Sequence, residues 1–326
     1  MNAFRKLAFG SAGLLWLTAL PVTTFAQGSY PTKPIRLIVP FAPGASNDII
    51  ARLVGQKLSE SMGQQFVVDN RAGAGGSLGA DLVAKAEPNG YTLLLANPGP
   101  NINNPTLRKN NPYRFEDFDP IVFLGYAPLI IVANPDFPAS NAKELLAHAR
   151  KNPGKINWGS SGNATSLHVG LALFQSATGT SITHVPYKGT APALVDVVGG
   201  QINAMYTTSI SAEVHIKSGR LKVLGVAGPK RQDVLPDVPT LAEQGITGAD
   251  AIVWFGLVAP VKTPRAVIDV LNREANLALA AADVRKRLDS LGLIVGGGSV
   301  KELDDFMKNE VSRLLKLVKL GALTRD

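Results

Sequence analysis

The chain contains no cysteine, which excludes disulfides and thiolate metal sites even though an exported protein could have carried bridges. Histidine is scarce. The four present (His148, His168, His184 and His215) show no close metal-ligand spacing, so neither a metal nor a cofactor is expected. No basic run is interleaved with aromatics, which removes nucleic acid from the expected partners despite a formal charge of +8. Beyond the first twenty-odd residues no apolar stretch is long enough to span a bilayer.

What stands at the start is a short apolar run. Arg5 and Lys6 precede Leu7 to Leu20, and Thr24–Phe25–Ala26 offers small residues at a cleavage position. This reads as a secretory signal peptide cut after Ala26; the competing reading, a membrane anchor, needs a longer apolar core. Removing residues 1–26 deletes two cations and no acid, lowering the formal charge from +8 to +6. The 300 residues that remain suffice for two lobes with separate cores. A positive balance suits an acidic small ligand or solubility through self-repulsion.

Short apolar runs then alternate with amphipathic segments. Residues 35–41 and 64–70 read as strands, and residues 47–63 as a helix with Ile50, Leu53, Val54 and Leu58 on one stripe. Pro88–Asn89–Gly90 stops a further helix and launches a strand over 91–97. Strands are also expected at 155–160, 182–188, 202–208 and 221–228, giving an α/β class. Two long extended passages, 120–135 and 251–260, bracket a self-sufficient α/β block. They place lobe 1 at 29–127 plus 253–326 and lobe 2 at 128–252, with one large sheet as the alternative.

Four loops leave a strand and enter a helix. In the first, Pro43–Gly44 turns the chain, Ser46 or Asn47 can cap the helix, and Asp48 complements its positive end. The second carries Gly73, Gly75, Gly76 and Gly79, with Ser77 at the helix start. Glycines there let backbone amides approach an anion. The third clusters Ser160, Ser161, Asn163, Thr165 and Ser166 ahead of His168, and the fourth carries Tyr187, Lys188, Gly189 and Thr190. Strand-to-helix loops of parallel α/β sheets share one edge, so facing lobes would surround an anion with amides and hydroxyls.

Two enzymatic readings compete. Residues 73–79 resemble a dinucleotide fingerprint, but the ribose-binding acid expected about twenty residues on is missing. Gly159–Gly162 resembles a nucleophile turn without matching the G-x-S-x-G elbow, leaving a secreted α/β serine hydrolase using Ser161 and His168 as the alternative function.

Five stretches, in order, resemble the substrate-binding receptors of tripartite tricarboxylate transporters, the Bug or TctC-like receptors. They are "YPTKPIRLIVPFAPGASNDIIAR", "VVDNRAGAGGSLGADLVAKAEPNGYTLL", "INWGSSGNATSLHVG", "HVPYKGTAPALVDVVGGQI" and "LPDVPTLAEQG". The resemblance implies a two-lobed periplasmic binding protein of type II-like fold, with two crossover strands and a ligand cleft between the lobes. Such a flytrap closes on a di- or tricarboxylate, an acidic amino acid, or a nicotinate-like or aromatic acid, and delivers it to membrane permease subunits. No enzyme activity is implied, and the receptor is expected to be a monomer. In the family, loop amides and ordered waters of lobe 1 hold a carboxylate. Carried over, the ligand-binding positions are Gly44, Ala45, Ser46, Asn47, Asp48, Gly75, Gly76, Ser77, Ser160, Ser161, Asn163, Thr165, His168, Tyr187, Lys188 and Gly189. Two departures stand out: Ala45 replaces a frequent second glycine, and Asn203 stands where an aspartate is common. Alanine at a positive φ would be strained. Closure is expected to rotate the backbone near Gly125 and Gly256.

Overall fold

A computed structural model describes residues 30–321 and 323–325. The expected signal peptide and its cleavage after Ala26 lie outside the described residues.

Apolar runs become strands wherever both faces find a cover. β1 (Ile35–Val39), β2 (Phe66–Asn70) and β3 (Thr92–Ala96) are parallel and hydrogen-bonded in the order β2-β1-β3. Leu37, Ile38, Leu93 and Leu94 are fully buried. Between them lie α1 (Ser46–Met62) and α2 (Ser77–Ala84). α1 buries Ile50, Val54 and Leu58 and stops at Gly63, whose φ of 67° is the left-handed geometry a helix C-terminus uses to satisfy its last carbonyls. After β3 the chain makes a π-helical turn (Gly99–Asn103) and a short α3 (Asn104–Leu107).

β4 (Phe118–Ala133) is the long connector. Its first part pairs antiparallel with β9 (Ile252–Pro260), which in turn pairs antiparallel with β3. Its last part, from Leu129, pairs with β8 (Lys222–Ala227) on one side and β7 (Ala204–Thr207) on the other. β5 (Asn157–Ser160) and β6 (Thr183–Pro186) extend that second half in parallel with β7. Helices α4 (Ala142–Lys151), α5 (Ser166–Thr178), α6 (Thr190–Val198) and α7 (Ser209–Lys217) belong to the second half. Its core stacks Trp158 on Phe174 and sets it edge-on to Tyr206. The chain then returns through β9 to α8 (Arg265–Ala280), α9 (Ala282–Ser290), β10 (Ile294–Val295) and α10 (Val300–Lys319). α10 starts with a reciprocal Ser299–Glu302 cap and lays Phe306 against Trp254 and Phe123. Among the described residues, eight strands follow the hydrogen-bonded path β2-β1-β3-β9-β4-β7-β5-β6, with β8 and β10 pairing with β4 off that path, so that β4 joins two halves.

The changeover between halves does not fall at the glycines expected to rotate. Gly256 is paired on both sides, with Ala96 and with Phe123. Gly125 lies under β10, where the Gly296 amide donates to Leu124 O at 3.0 Å and the Gly297 amide to Phe123 O at 2.7 Å. Pairing of β4 with β9 ends at Pro128↔Ile252, and pairing with β8 begins at Leu129. The β4 ladder therefore changes partner just beyond the Pro128↔Ile252 pair, at Leu129 and Ala251, whereas Gly125 and Gly256 both lie inside the first-half ladder.

Candidate functional site

Strand direction decides where the loops meet. β4 runs from the first half into the second, and β1 to β3 share its direction because β9 opposes both. The C-terminal ends of β1 to β3 therefore face the second half. β5, β6 and β7 oppose β4, so their C-terminal ends face the first. The strand-to-helix loops of both halves thus point at one another, the arrangement in which α/β sheets bind ligands.

In the loop after β1, the positive φ falls on Gly44, at 88°, while Ala45 is extended at φ −110° and ψ 177°. The feared strain at Ala45 does not arise. The Asp48 carboxylate accepts the Gly44 amide at 3.1 Å and the Arg52 guanidinium at 3.1 Å. Burial pushes its pKa up, but Arg52, the Gly44 amide and Asn70 together outweigh that and hold it below the usual carboxylate range. Asp48 shapes the loop as an anion.

The loop after β2 strings together residues of positive φ: Ala74 at 50°, Gly75 at 65° and Gly76 at 93°. Ser77 spends its hydroxyl on Asn111 Oδ1 at 3.3 Å. Asn104 donates to Gly75 O at 2.9 Å, fixing the loop from below. After β3, buried asparagines build a scaffold. Asn97 donates to Asn47 Oδ1 at 2.8 Å, its own Oδ1 accepts the Gly99 amide at 3.1 Å, and its backbone amide donates to Asn101 Oδ1 at 3.1 Å.

From the other half, Thr165 Oγ1 closes the loop after β5 by donating to Gly162 O at 2.7 Å. Ala164 sits at φ 58°, held by its amide donating to His168 Nδ1 at 3.1 Å. His168 and His184 stack with ring centroids 4.1 Å apart, and His184 Nε2 meets Ser160 Oγ at 2.6 Å. Burial first, and His168 second, lower the His184 pKa to about 4. The geometry gives the hydrolase alternative no support: His168 Nδ1 accepts the Ala164 amide rather than serving as a base, and Ser160, whose hydroxyl meets His184, is fully buried. After β6, Tyr187 turns its hydroxyl to Asp196 at 2.6 Å, and burial with Asp196 pushes that phenol up to about 12. Lys188 is exposed, while the buried Gly189 packs on Ala42.

The loops enclose a cavity of about 10 Å³. Of the expected residues, Ser46, Asn47, Ser161 and Thr165 line it. Gly75 packs beside it against Gly162 and Asn163 of the opposite half. The side chains of Ser77, His168 and Tyr187 are engaged elsewhere, as described above. Ser166, Leu167 and Thr190 line the cavity from loops already singled out, whereas Phe41, Asn97, Thr208, Ser211 and Val253 went unforeseen. Asn97 follows the third strand of the first half, and Thr208 and Ser211 the third of the second; the same strand-to-helix rule finds them. No lining side chain is ionisable. Asn203 sits at the far edge, accepting the Asn157 amide through Oδ1 at 2.8 Å, a bond an aspartate oxygen would make equally.

A family model described as the tripartite tricarboxylate transporter family receptor (TctC) matches residues 50–323. The Pseudomonas protein in the tcbD-tcbE intergenic region is 41% identical over 321 residues, covering 97% of this chain and 94% of that one. BugT of Bordetella pertussis is 35% identical over 321 residues, 98% of each chain. Among solved structures, periplasmic binding protein BugD superposes with a TM-score of 0.87 at 34% identity, covering 91% of this chain and 100% of its own. An R. palustris protein with adipate gives 0.88 at 31% identity, covering 91% and 100%. MatC from Rhodopseudomonas palustris with bound malate gives 0.85 at 31%, covering 89% and 100%. The fold is the two-lobed α/β architecture of periplasmic binding proteins. The chain belongs to the TctC family, the solute-binding receptors of tripartite tricarboxylate transporters.

Proposed function

We propose that this protein is exported to the periplasm with cleavage after Ala26, where it acts as a monomer. Its lobes, 29–127 plus 253–326 and 128–252, close on a small organic carboxylate, which the loaded receptor hands to membrane permease subunits of a tripartite tricarboxylate transporter. The observation carrying this reading is a cavity between facing loops whose polar lining is amide and hydroxyl side chains, set beside Phe41, Leu167 and Val253, with no ionisable group. Neutral donors at helix starts select an anion because they would be left unpaired in a dry cleft without one. Malate and adipate, held by the two R. palustris relatives, set the size of the first candidates.

The site residues proposed to touch or shape the ligand's surroundings are those carried over from the family, joined by Asn97, Thr190, Thr208 and Ser211. Thermal melts against a panel of small organic acids test the reading, with nucleotides as the contrasting set. A true ligand at a hundredfold its Kd should stabilise by about 2.7 kcal/mol and be recovered unchanged. Stabilisation by nucleotides alone, or turnover of an ester lost in Ser161→Ala, would overturn it.

A further inference from the structure

Ser46 is the first residue of α1, and its amide is one of the donors a helix start cannot satisfy internally. That amide donates across the cleft to Ser211 Oγ at 2.9 Å, on α7 of the opposite half. The Thr208 hydroxyl donates to the same oxygen at 3.1 Å. All three residues line the central cavity. One oxygen of a bound carboxylate would be received in the same way, by a main-chain N–H at a helix start and a hydroxyl. The cavity has about the volume a single water requires, so an organic acid enters only if Ser46 and Ser211 part.

We infer that the Ser211 hydroxyl stands in for one carboxylate oxygen, so that the receptor closes on its own side chain and an incoming acid must displace it. The inference rests on the carboxylate reading proposed above. A carboxylate wins the exchange because charge-assisted hydrogen bonds are stronger than neutral ones and a helix N-terminus favours negative charge. The self-contact holds part of the population closed without acid, and it lowers apparent affinity by the fraction so held.

The test compares Ser211→Ala and Ser211→Asp with wild type. Ser211 is the third residue of α7, where alanine suits the helix and aspartate is favoured in the first turn. Because the chain has no cysteine, Lys109→Cys and Lys143→Cys, one exposed site in each half, can carry a clean pair of distance labels. Without added acid, Ser211→Ala should shift the inter-lobe distances longer, and Ser211→Asp, a tethered carboxylate, should shift them shorter. Titrated with malate and adipate, whichever binds wild type should bind Ser211→Ala about threefold to tenfold tighter and Ser211→Asp at least about tenfold weaker. Unchanged distances in both variants would overturn the inference. So would weaker acid binding by Ser211→Ala, which would make Ser211 an ordinary ligand donor. If neither acid binds wild type, the carboxylate reading loses those candidates, while the distances still decide whether Ser211 holds the lobes together.

Discussion

The side-chain amide of Asn103 donates to the Ala164 carbonyl 2.8 Å away, tying the turn after β3 to the loop after β5 across the cleft. Asn103 is buried in this arrangement, but separation of the lobes would return both groups to water. Asn103→Ala should therefore weaken closure more than folding. The expected effect is about 1 kcal/mol, roughly a fivefold loss of ligand affinity, with a nearly unchanged melting midpoint in the absence of acid. Calorimetric titration beside thermal melts separates the two. A lowered midpoint with affinity intact would make the bond part of the resting fold.

Gly75 and Gly63 share a left-handed backbone, with φ of 65° and 67°, yet face different surroundings. A Cβ on Gly63 meets nothing within 4 Å, whereas one on Gly75 drives into the Asn163 carbonyl of the opposite half. Gly63→Ala should cost only the backbone penalty, about 1 kcal/mol of stability, and leave binding alone. Gly75→Ala should cost a similar amount of stability and in addition block closure, so affinity should fall about tenfold or more. Equal binding by the two variants would show that the Gly75–Asn163 approach is not needed for capture.

The contrast between those glycines marks what could be read from sequence. Turn glycines and the long strands β4 and β9 are written in local pattern, and the loops at 42–48, 73–79, 159–168 and 185–193 follow from it. The expected Ser46 or Asn47 cap of α1 does not, because Ala45 is the N-cap and no side chain caps the helix. Side-chain aim does not follow either. Ser160 and Ser161 are adjacent, and only Ser161 lines the cavity while Ser160 turns to His184. Tyr187 looked like a ligand donor but spends its hydroxyl on Asp196. The Asn97–Asn104 scaffold was invisible for another reason: Asn97, Asn101, Asn103 and Asn104 are all buried, so the segment has no polar face to give it a helical period. The Ser46–Ser211 contact joins residues 165 positions apart and depends on the antiparallel setting of the two halves along β4.

His184 predicts a specific acid sensitivity. Its pKa is lowered from 6.5 to about 4, by burial first and by His168 second. The unfolded chain takes up this proton near pH 6.5 and the folded one only near 4, so between those values the unfolded state binds more protons. Stability from this group is fully present above pH 6.5, falls as pH drops towards 4, and changes no further below that. His184→Gln removes the titration while leaving a polar group within reach of Ser160. Melting midpoints from pH 7 to 4 should decline less steeply in the variant than in wild type. Parallel curves would assign the acid sensitivity to the carboxylates instead.

Closure should bend the chain at Pro128–Leu129 and Ala251–Ile252, where the pairing of β4 passes from β9 to β7 and β8. Rotation at Gly125 or Gly256 would break ladder bonds inside the first half, whereas rotation at the changeover leaves both halves whole. Gly256→Ala would set its Cβ 3.1 Å from Val122 O and strain the first half without touching the hinge. Gly125→Ala, at φ 139° and with its Cβ driven into Ile294 O, should detach β10 and lower the melting midpoint. Neither substitution should abolish the compaction on saturation with an identified acid, read by scattering or by labels at positions 109 and 143. Tethering the changeover should abolish it: Leu129→Cys and Ala251→Cys place a crosslinkable pair where the Leu129 amide donates to Ala251 O at 2.9 Å. If the crosslinked protein still compacts while Gly256→Ala does not, the rotation belongs inside the first half after all.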